Sequence, residues 1–308
     1  MKPIIVIAGT TASGKSDLAL ELAKKINGYV INGDSRQIYK EFKIATAQPV
    51  PDKIKKDGTW IIDGIEHFLY GFVSIKSDYN IFKYQNDVKK ILKKKEKDNQ
   101  YPILVGGTGL YIDSIVYNYQ LVESITDQTK SNREKFSKLS TFELQTLAKE
   151  TNAEDFETLN NSDKNNPRRL IRLLEKETLN QAKGEALSHK YFVLDIDDET
   201  LENNIRTRIE KMFENGLVEE TKAVYEQYYT PENTKAAHES NSQEFANSIN
   251  VIGFKELIPY FKKEKSLDEV KNDLFLHTRQ YAKRQRTWFK RNTGVTYIKT
   301  LEDILNTL

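Results

Sequence analysis

The chain has 308 residues, of which 38% are hydrophobic and 10% aromatic, so it can bury a core larger than a small domain needs. It contains no cysteine, which excludes disulfides, thiolate metal sites and a cysteine nucleophile, and which is typical of a reducing compartment. We therefore predict a cytoplasmic location. No apolar run approaches the roughly 20 residues of a membrane span, and we expect neither a signal peptide nor a membrane partner. The formal charge of +2 is too small to indicate nucleic acid by itself.

The first hundred residues alternate between strand-like and helix-like patterns. A continuous apolar run at residues 3–8 predicts a strand, and residues 16–26 repeat apolar side chains at helical spacing. Short apolar runs at 29–32 and 102–105 each lead into a turn that contains glycine. Residues 81–97 predict a helix whose many lysines we interpret as a solvated face rather than a phosphate-binding patch. This alternation predicts an α/β fold with a parallel sheet.

The composition changes after residue 121. Lysine, asparagine and glutamate dominate there, and only helical periodicity remains. We predict a helical insertion domain over 122–188, within a catalytic core formed by 1–121 and 189–308. The strand pattern returns at 191–196, and helices follow it.

Residues 9–16 match the phosphate-loop pattern G-x-x-x-x-G-K-[ST], between the first predicted strand and the first predicted helix. In such a loop the backbone amides face the phosphates, Lys15 adds a positive charge, and the Ser16 hydroxyl is suited to bind Mg²⁺. A chance glycine-rich turn is the alternative. A kinase would also need an acidic residue at the end of a strand, and Asp63 and Asp195 are the candidates.

Asp34 follows the second predicted strand, which places a carboxylate at the carboxyl edge of the sheet near the phosphate loop. Such an aspartate can instead serve only to form an Asx turn, for which Gly33-Asp34-Ser35 is suitable. Its position beside the phosphate loop favours a role in catalysis.

Several further motifs occur in a fixed order along the chain, and together they resemble the tRNA dimethylallyltransferase family, also called tRNA isopentenyltransferases. The motifs that carry the resemblance are the phosphate loop, Asp34-Ser35-x-Gln37-x-Tyr39, Thr46-Ala47-x-Pro49, Gly106-Gly107-Thr108-Gly109-Leu110-Tyr111, Pro167-Arg168-Arg169-x-x-Arg172, Ile252-Gly253-Phe254-Lys255-Glu256 and Arg279-Gln280-Tyr281-Ala282-Lys283-Arg284-Gln285-x-Thr287-Trp288-Phe289.

The resemblance implies a P-loop NTPase-like core that transfers a dimethylallyl group from dimethylallyl diphosphate to N6 of the adenosine 3′-adjacent to the anticodon in tRNA. Asp34 then falls on the family's catalytic carboxylate, and Thr108 on a threonine that contacts tRNA at the mouth of the reaction channel. Mg²⁺ is the implied cofactor, with Ser16 as its ligand. The residues implied to hold the diphosphate are Gly9, Thr11, Ala12, Ser13, Gly14, Lys15 and Ser16.

The tRNA-binding residues come partly from the resemblance and partly from a charge pattern. Residues 278–291 contain six basic residues and no acidic one, and Arg279, Lys283, Arg286 and Lys290 share one face at helical spacing. We predict a monomer that binds the anticodon stem-loop. The implied tRNA contacts are Asp34, Ser35, Arg36, Gln37, Thr108, Arg133, Arg168, Arg169, Arg172, Lys283, Arg284, Gln285, Arg286 and Lys290.

The chain departs from the family pattern at four positions, where Thr10 replaces a proline, Ala45 a glycine, Gln48 a lysine and Asn166 an aspartate. Because Gln48 removes a positive charge, we expect phosphate contacts nearby to be weaker or to come from a neighbouring basic residue. The alternatives are an adenylate isopentenyltransferase that uses a free nucleotide, a small-molecule kinase, and an RNA-binding protein without catalytic activity.

Overall fold

The computed structural model describes residues 2–121, 132, 135–175, 184–228 and 249–308. The chain divides into two compact units, one formed by Met1–Val116 and Leu187–Leu308, the other by Tyr117–Ala186. The first unit contains eight strands: β1 Ile4–Gly9, β2 Gly28–Asn32, β3 Lys53–Ile54, β4 Trp60–Ile62, β5 Ile65–Phe68, β6 Tyr101–Gly106, β7 His189–Leu194 and β8 Thr296–Ile298.

These strands form one mixed sheet in the order β3-β4-β5-β2-β6-β1-β7-β8. In this order, each neighbouring pair from β5 through β2, β6, β1 and β7 to β8 is parallel. The β3–β4 and β4–β5 pairs are antiparallel. All six residues of β1 are buried, as expected for a central parallel strand covered on both faces. The predicted α/β class with a parallel core is confirmed.

The helices of the first unit are α1 Lys15–Ile26, α2 Ile81–Lys95, α3 Gly109–Val116, α8 Asp198–Glu214, α9 Leu217–Tyr228, α10 Phe254–Phe261, α11 Leu267–Lys290 and α12 Leu301–Leu305. A capping box between Ser266 and Glu269 begins α11, which is 24 residues long. Its buried residues recur at spacings of three and four, so one face packs on the core along the whole helix. No helix among the described residues is long and apolar enough to cross a membrane.

The second unit is helical. Its helices are α4 Thr141–Thr151, α5 Ala153–Thr158, α6 Asn161–Lys164 and α7 Pro167–Glu175. They share a small core that is separate from the sheet, formed by Leu144, Ala148, Phe156, Leu170, Leu173 and Leu174. The insertion was expected over 122–188, and the compact unit spans Tyr117–Ala186.

The sheet order brings the candidate site together. Strands β2, β6 and β1 are neighbours and run in the same direction, so their carboxyl ends lie at one edge. β1 ends at Gly9 and leads into the phosphate loop, β6 ends at Gly106, and β2 ends at Asn32, two residues before Asp34. Three segments that are distant in sequence are thereby adjacent, at the edge where parallel α/β sheets bind ligands.

Candidate active site

The phosphate loop is ordered by its own side chains. The Ser13 hydroxyl donates to the Thr10 carbonyl over 2.9 Å, and Lys15 Nζ donates to the same carbonyl over 3.0 Å. Burial lowers the pKa of Lys15 to about 8, while Asp34 acts to raise it and Arg208 to lower it. Ser16 lies exposed in the first turn of α1, where a hydroxyl can reach a bound ion.

Two side chains of α8 donate hydrogen bonds to the phosphate loop. Arg208 donates through Nη1 to Thr11 Oγ1 over 3.0 Å and through Nη2 to the Thr46 carbonyl over 3.3 Å. Asn204 Nδ2 donates to the Ala12 carbonyl over 3.0 Å. Arg208 was not among the site residues predicted from the sequence, because nothing local to α8 indicates contact with a loop 197 residues away.

Arg208 and Lys15 place two cations beside the loop. Burial lowers the pKa of Arg208, and the Asp34 carboxylate opposes that shift. Asp34 likewise acts on Lys15, so one carboxylate and two cations share this edge of the sheet. The excess of positive charge suits a multiply charged anion such as a diphosphate.

Asp34 forms the Asx turn that Gly33-Asp34-Ser35 predicted. The turn uses only one of the two carboxylate oxygens, Oδ1. Its Oδ1 accepts from the Arg36 backbone N–H over 2.8 Å. Asn32 Oδ1 accepts from the Asp34 N–H over 2.9 Å, which fixes the backbone from the other side. Among the described residues none donates a hydrogen bond to Oδ2, so the turn orients the carboxylate without using both oxygens. The structural and the catalytic interpretations of Asp34 are therefore compatible.

Four tyrosine phenols lie close enough to Asp34 to be affected by its charge. Burial raises the pKa of each phenol, and the charge of Asp34 raises it further, so all four remain neutral. Tyr84 and Tyr111 pack together with ring centroids 4.4 Å apart. Tyr70 and Tyr84 are 2% and 0% exposed, so these two rings belong to the core behind the site and offer no surface to a substrate. The four residues are Tyr70, Tyr84, Tyr111 and Tyr281.

The glycine turn after β6 packs directly against the Asp34 segment. A Cβ added at Gly106 would lie 2.2 Å from the carbonyl carbon and oxygen of Gly33, so only glycine fits there. Thr108 Oγ1 accepts from the Ser35 backbone N–H over 3.0 Å and lies 3.2 Å from Ser35 Oγ. Thr108 therefore orients the residue next to Asp34, in addition to any contact it makes with tRNA.

The predicted basic face of α11 is divided in the structure. Arg279 pairs with Glu202 of α8 at 2.6 Å, and Arg286 pairs with Asp198. Lys283 and Lys290 are exposed, and no carboxylate of the described residues forms an ion pair with either. The exposed basic surface of α11 is thus smaller than the helical spacing predicted.

Three further predicted tRNA contacts, Arg284, Arg36 and Gln37, differ in their surroundings. Arg284 is exposed, with its guanidinium carbon 5.7 Å from the centroid of the Tyr281 ring. Arg36 is half-buried in the Asp34 segment. Gln37 Nε2 donates to the carbonyls of Thr46 and Ala47 over 3.1 and 3.0 Å, so it supports the loop that Arg208 also contacts.

Gln48 is buried and hydrogen-bonded within its own loop. It is only 9% exposed, and its Nε2 donates to the Tyr39 carbonyl over 2.7 Å and to the Phe42 carbonyl over 3.3 Å. The side-chain amide of Gln48 therefore stabilises the loop to which Gln48 itself belongs. The expectation that its missing charge weakens phosphate contacts nearby stays a prediction.

The inserted unit presents its arginines at the start of α7. Asn166 Oδ1 accepts from the backbone N–H groups of Arg168 and Arg169 over 3.1 and 3.4 Å, so asparagine caps this helix as an aspartate would. Arg168 and Arg172 are exposed, and Arg169 lies 3.5 Å from Asp163. Arg133, also predicted to bind tRNA, lies outside the described residues.

Of the two acids that a kinase could use, Asp195 directly follows β7, which is a neighbour of β1. Asp63 pairs with Lys24 at 2.8 Å on the surface, and both side chains are about half exposed. The described residues contain no cluster of three or more histidine or acidic side chains that could hold a metal ion. A phosphate loop, two cations and the oriented carboxylate of Asp34 at the carboxyl edge of a parallel sheet are the features of a group-transfer enzyme with a P-loop fold.

Comparison with known proteins identifies the family. The sequence profile of the IPP transferase family matches residues 37–292. A tRNA dimethylallyltransferase of Staphylococcus aureus (strain MRSA252) is 34% identical, with 96% of this chain and 92% of that protein covered. The chain belongs to the IPP transferase family, and the resemblance inferred from its motifs is confirmed.

Solved structures agree with this assignment. The full-length tRNA isopentenylpyrophosphate transferase of Bacillus halodurans superposes with a TM-score of 0.67 at 26% identity, covering 100% of this chain and 95% of that one. A eukaryotic dimethylallyltransferase, described as acting on tRNA, superposes with a TM-score of 0.75 at 27% identity, covering 97% of this chain and 74% of that one.

Proposed function

We propose that the enzyme transfers the dimethylallyl group of dimethylallyl diphosphate to N6 of the adenosine 3′-adjacent to the anticodon in tRNA, with release of diphosphate. The observation that carries the proposal is the pairing of a cation-lined phosphate loop with a single oriented carboxylate at the ends of neighbouring strands. The phosphate loop binds the diphosphate as the leaving group, and the carboxylate accepts a proton.

The donor half uses the loop and the two cations beside it. The loop amides, Thr11, Ser13 and Lys15 bind the diphosphate, and Arg208 adds a second positive charge. Mg²⁺ fits this site if Ser16, the diphosphate oxygens and water supply its ligands, since this ion commonly binds through substrate phosphates and few protein groups. Bound there, Mg²⁺ would neutralise charge on the departing diphosphate.

The acceptor half centres on Asp34. The exocyclic amine of adenine is a weak nucleophile because its lone pair is delocalised into the ring. As N6 forms its bond to C1 of the prenyl chain, the bond from C1 to the diphosphate oxygen breaks, and Oδ2 of Asp34 accepts a proton from N6. Thr108 keeps the carboxylate in place through Ser35.

tRNA, rather than a free nucleotide, is the acceptor that the exposed basic residues favour. Lys283, Arg284 and Lys290 of α11 and Arg168 and Arg169 of the inserted unit offer positive charge that one adenylate molecule cannot occupy. A kinase would use the same phosphate loop but gives no reason for these residues.

The test compares an anticodon stem-loop with AMP as acceptor across a salt series. We expect efficient transfer to the stem-loop, and we expect the double variant Lys283→Glu/Lys290→Glu to raise its Michaelis constant and to flatten its salt dependence. Lys89→Glu/Lys93→Glu on α2 is the matched control, because these lysines are exposed on another helix. Salt-insensitive modification of AMP by every variant would contradict the tRNA assignment and leave the Asp34 chemistry intact.

A further inference from the structure

The side chain of Gln285 connects the two halves of the site. Gln285 lies on α11 and is only 4% exposed. Its Oε1 accepts from the backbone N–H of Thr11 in the phosphate loop over 2.8 Å. Its Nε2 donates to the carbonyl of Gly107 in the glycine turn over 2.9 Å. A single carboxamide therefore spans the carboxyl ends of β1 and β6.

The surroundings allow one orientation of this carboxamide. If its oxygen and nitrogen exchanged places, two donors would meet at Thr11 and two acceptors at Gly107, and both contacts would be repulsive. Gly107 also has to lack a side chain, because a Cβ there would lie 2.1 Å from Gln285 Nε2. The glycine in this turn and the glutamine on α11 are thus fitted to each other.

Two other side chains of α11 contact the segment that follows β6. The Tyr281 hydroxyl interacts with Thr108, which acts to lower the pKa of that phenol. Trp288 Nε1 donates to Asp113 Oδ2 over 2.8 Å, which fixes the helix on α3. Gln285 lies between them and is the residue whose amide also reaches the phosphate loop.

Both partners of Gln285 matter for the proposed reaction. Thr11 belongs to the loop proposed to hold the diphosphate, and a loop amide that is already bonded has a fixed direction. Gly107 precedes Thr108, which bonds to Ser35 next to Asp34. A shift of either segment would therefore change the distance between the donor carbon and the base.

We propose that Gln285 is a positioning residue that couples the diphosphate-binding loop to the Thr108–Asp34 side of the site, and that it is not a contact to RNA. This inference rests on the proposed function. Both amide atoms are engaged within the protein, so the carboxamide sets the relative placement of the two substrates without touching either.

Gln285→Met tests this, because methionine has a similar length and can neither donate nor accept as the amide does. We expect affinity for dimethylallyl diphosphate, measured without RNA, to fall about tenfold, the scale of leaving a buried polar group unpaired. The single-turnover rate at saturating donor and stem-loop should fall by a similar factor. Affinity for the stem-loop without donor should stay unchanged.

Trp288→Phe is the matched control on the same helix, since it removes the hydrogen bond to Asp113 without affecting any contact of the phosphate loop. Its donor affinity should equal that of the wild type. Should Gln285→Met not fold, Gln285→Asn takes its place, because the shorter amide cannot span both partners and should show the same two losses.

Unchanged donor affinity and unchanged single-turnover rate in a folded variant would overturn the inference. So would a defect confined to stem-loop affinity, because that result would make Gln285 an RNA contact. Failure of the proposed function would look different: the wild type itself would transfer no dimethylallyl group to RNA, whereas the donor-affinity comparison would still decide the role of Gln285.

Discussion

The depressed pKa of Lys15 gives a pH dependence whose sign and size follow from the structure. With a pKa of about 8 in the ligand-free enzyme, Lys15 is mostly charged at pH 7 and mostly neutral at pH 9. If only the charged form binds the diphosphate, donor affinity should fall about tenfold from pH 7 to pH 9. Calorimetric titration with dimethylallyl diphosphate over this range measures the effect directly.

Folding stability should increase with pH, whereas donor affinity should decrease. Because the folded state loses this proton at about pH 8 and the unfolded chain keeps it up to its ordinary pKa, this group makes the free energy of unfolding rise with pH above 8. Lys15→Arg stays charged, so its donor affinity should be nearly flat over the same interval, and it also reports any ionisation of the ligand. Equal wild-type affinity at pH 7 and pH 9, or the same decline in Lys15→Arg, would refute the reasoning.

Two further predictions concern the carboxylates. Asp34→Asn should lower the single-turnover rate by about 10²-fold or more while donor affinity stays near that of the wild type, and a rate within threefold would remove Asp34 from the mechanism. Glu220 accepts from three consecutive backbone N–H groups, of Lys43, Ile44 and Ala45, at 2.8 to 2.9 Å. Glu220→Gln should therefore lower the free energy of unfolding by about 2 kcal/mol in urea denaturation. The exposed neighbour Glu219→Gln should change it little, and equal effects would contradict the assignment.

The parts of the site that could be predicted from sequence are those formed by local geometry. The phosphate loop is specified by glycines at fixed spacing between an apolar strand and a helix, and Asp34 by its place just after the next strand. Parallel strands bring their carboxyl ends to one edge whatever their order in the sheet. The fold class and the position of the site follow from these patterns.

The parts that could not be predicted depend on side chains that reach across the fold. Arg208 and Gln285 contact the phosphate loop from 197 and 274 residues away, and no local pattern shows where a polar side chain on a helix will point. The number of unpaired basic residues on α11 was predicted too high for the same reason. Helical spacing places Arg279 and Arg286 on one face but does not reveal the acidic residues of α8 beside them. The short antiparallel strands β3 to β5 were missed because strands of two to four residues carry too little periodicity.

The central claim is that this site attaches a dimethylallyl group to N6 of one adenosine in tRNA. Mass spectrometry of nucleosides from an anticodon stem-loop, incubated with the enzyme, dimethylallyl diphosphate and Mg²⁺, tests it most directly. We predict N6-dimethylallyladenosine at the position 3′-adjacent to the anticodon with the wild type, and a product yield at least 10²-fold lower in the initial phase with Asp34→Asn. Unmodified adenosine with the wild type, or equal product with both proteins, would contradict the account.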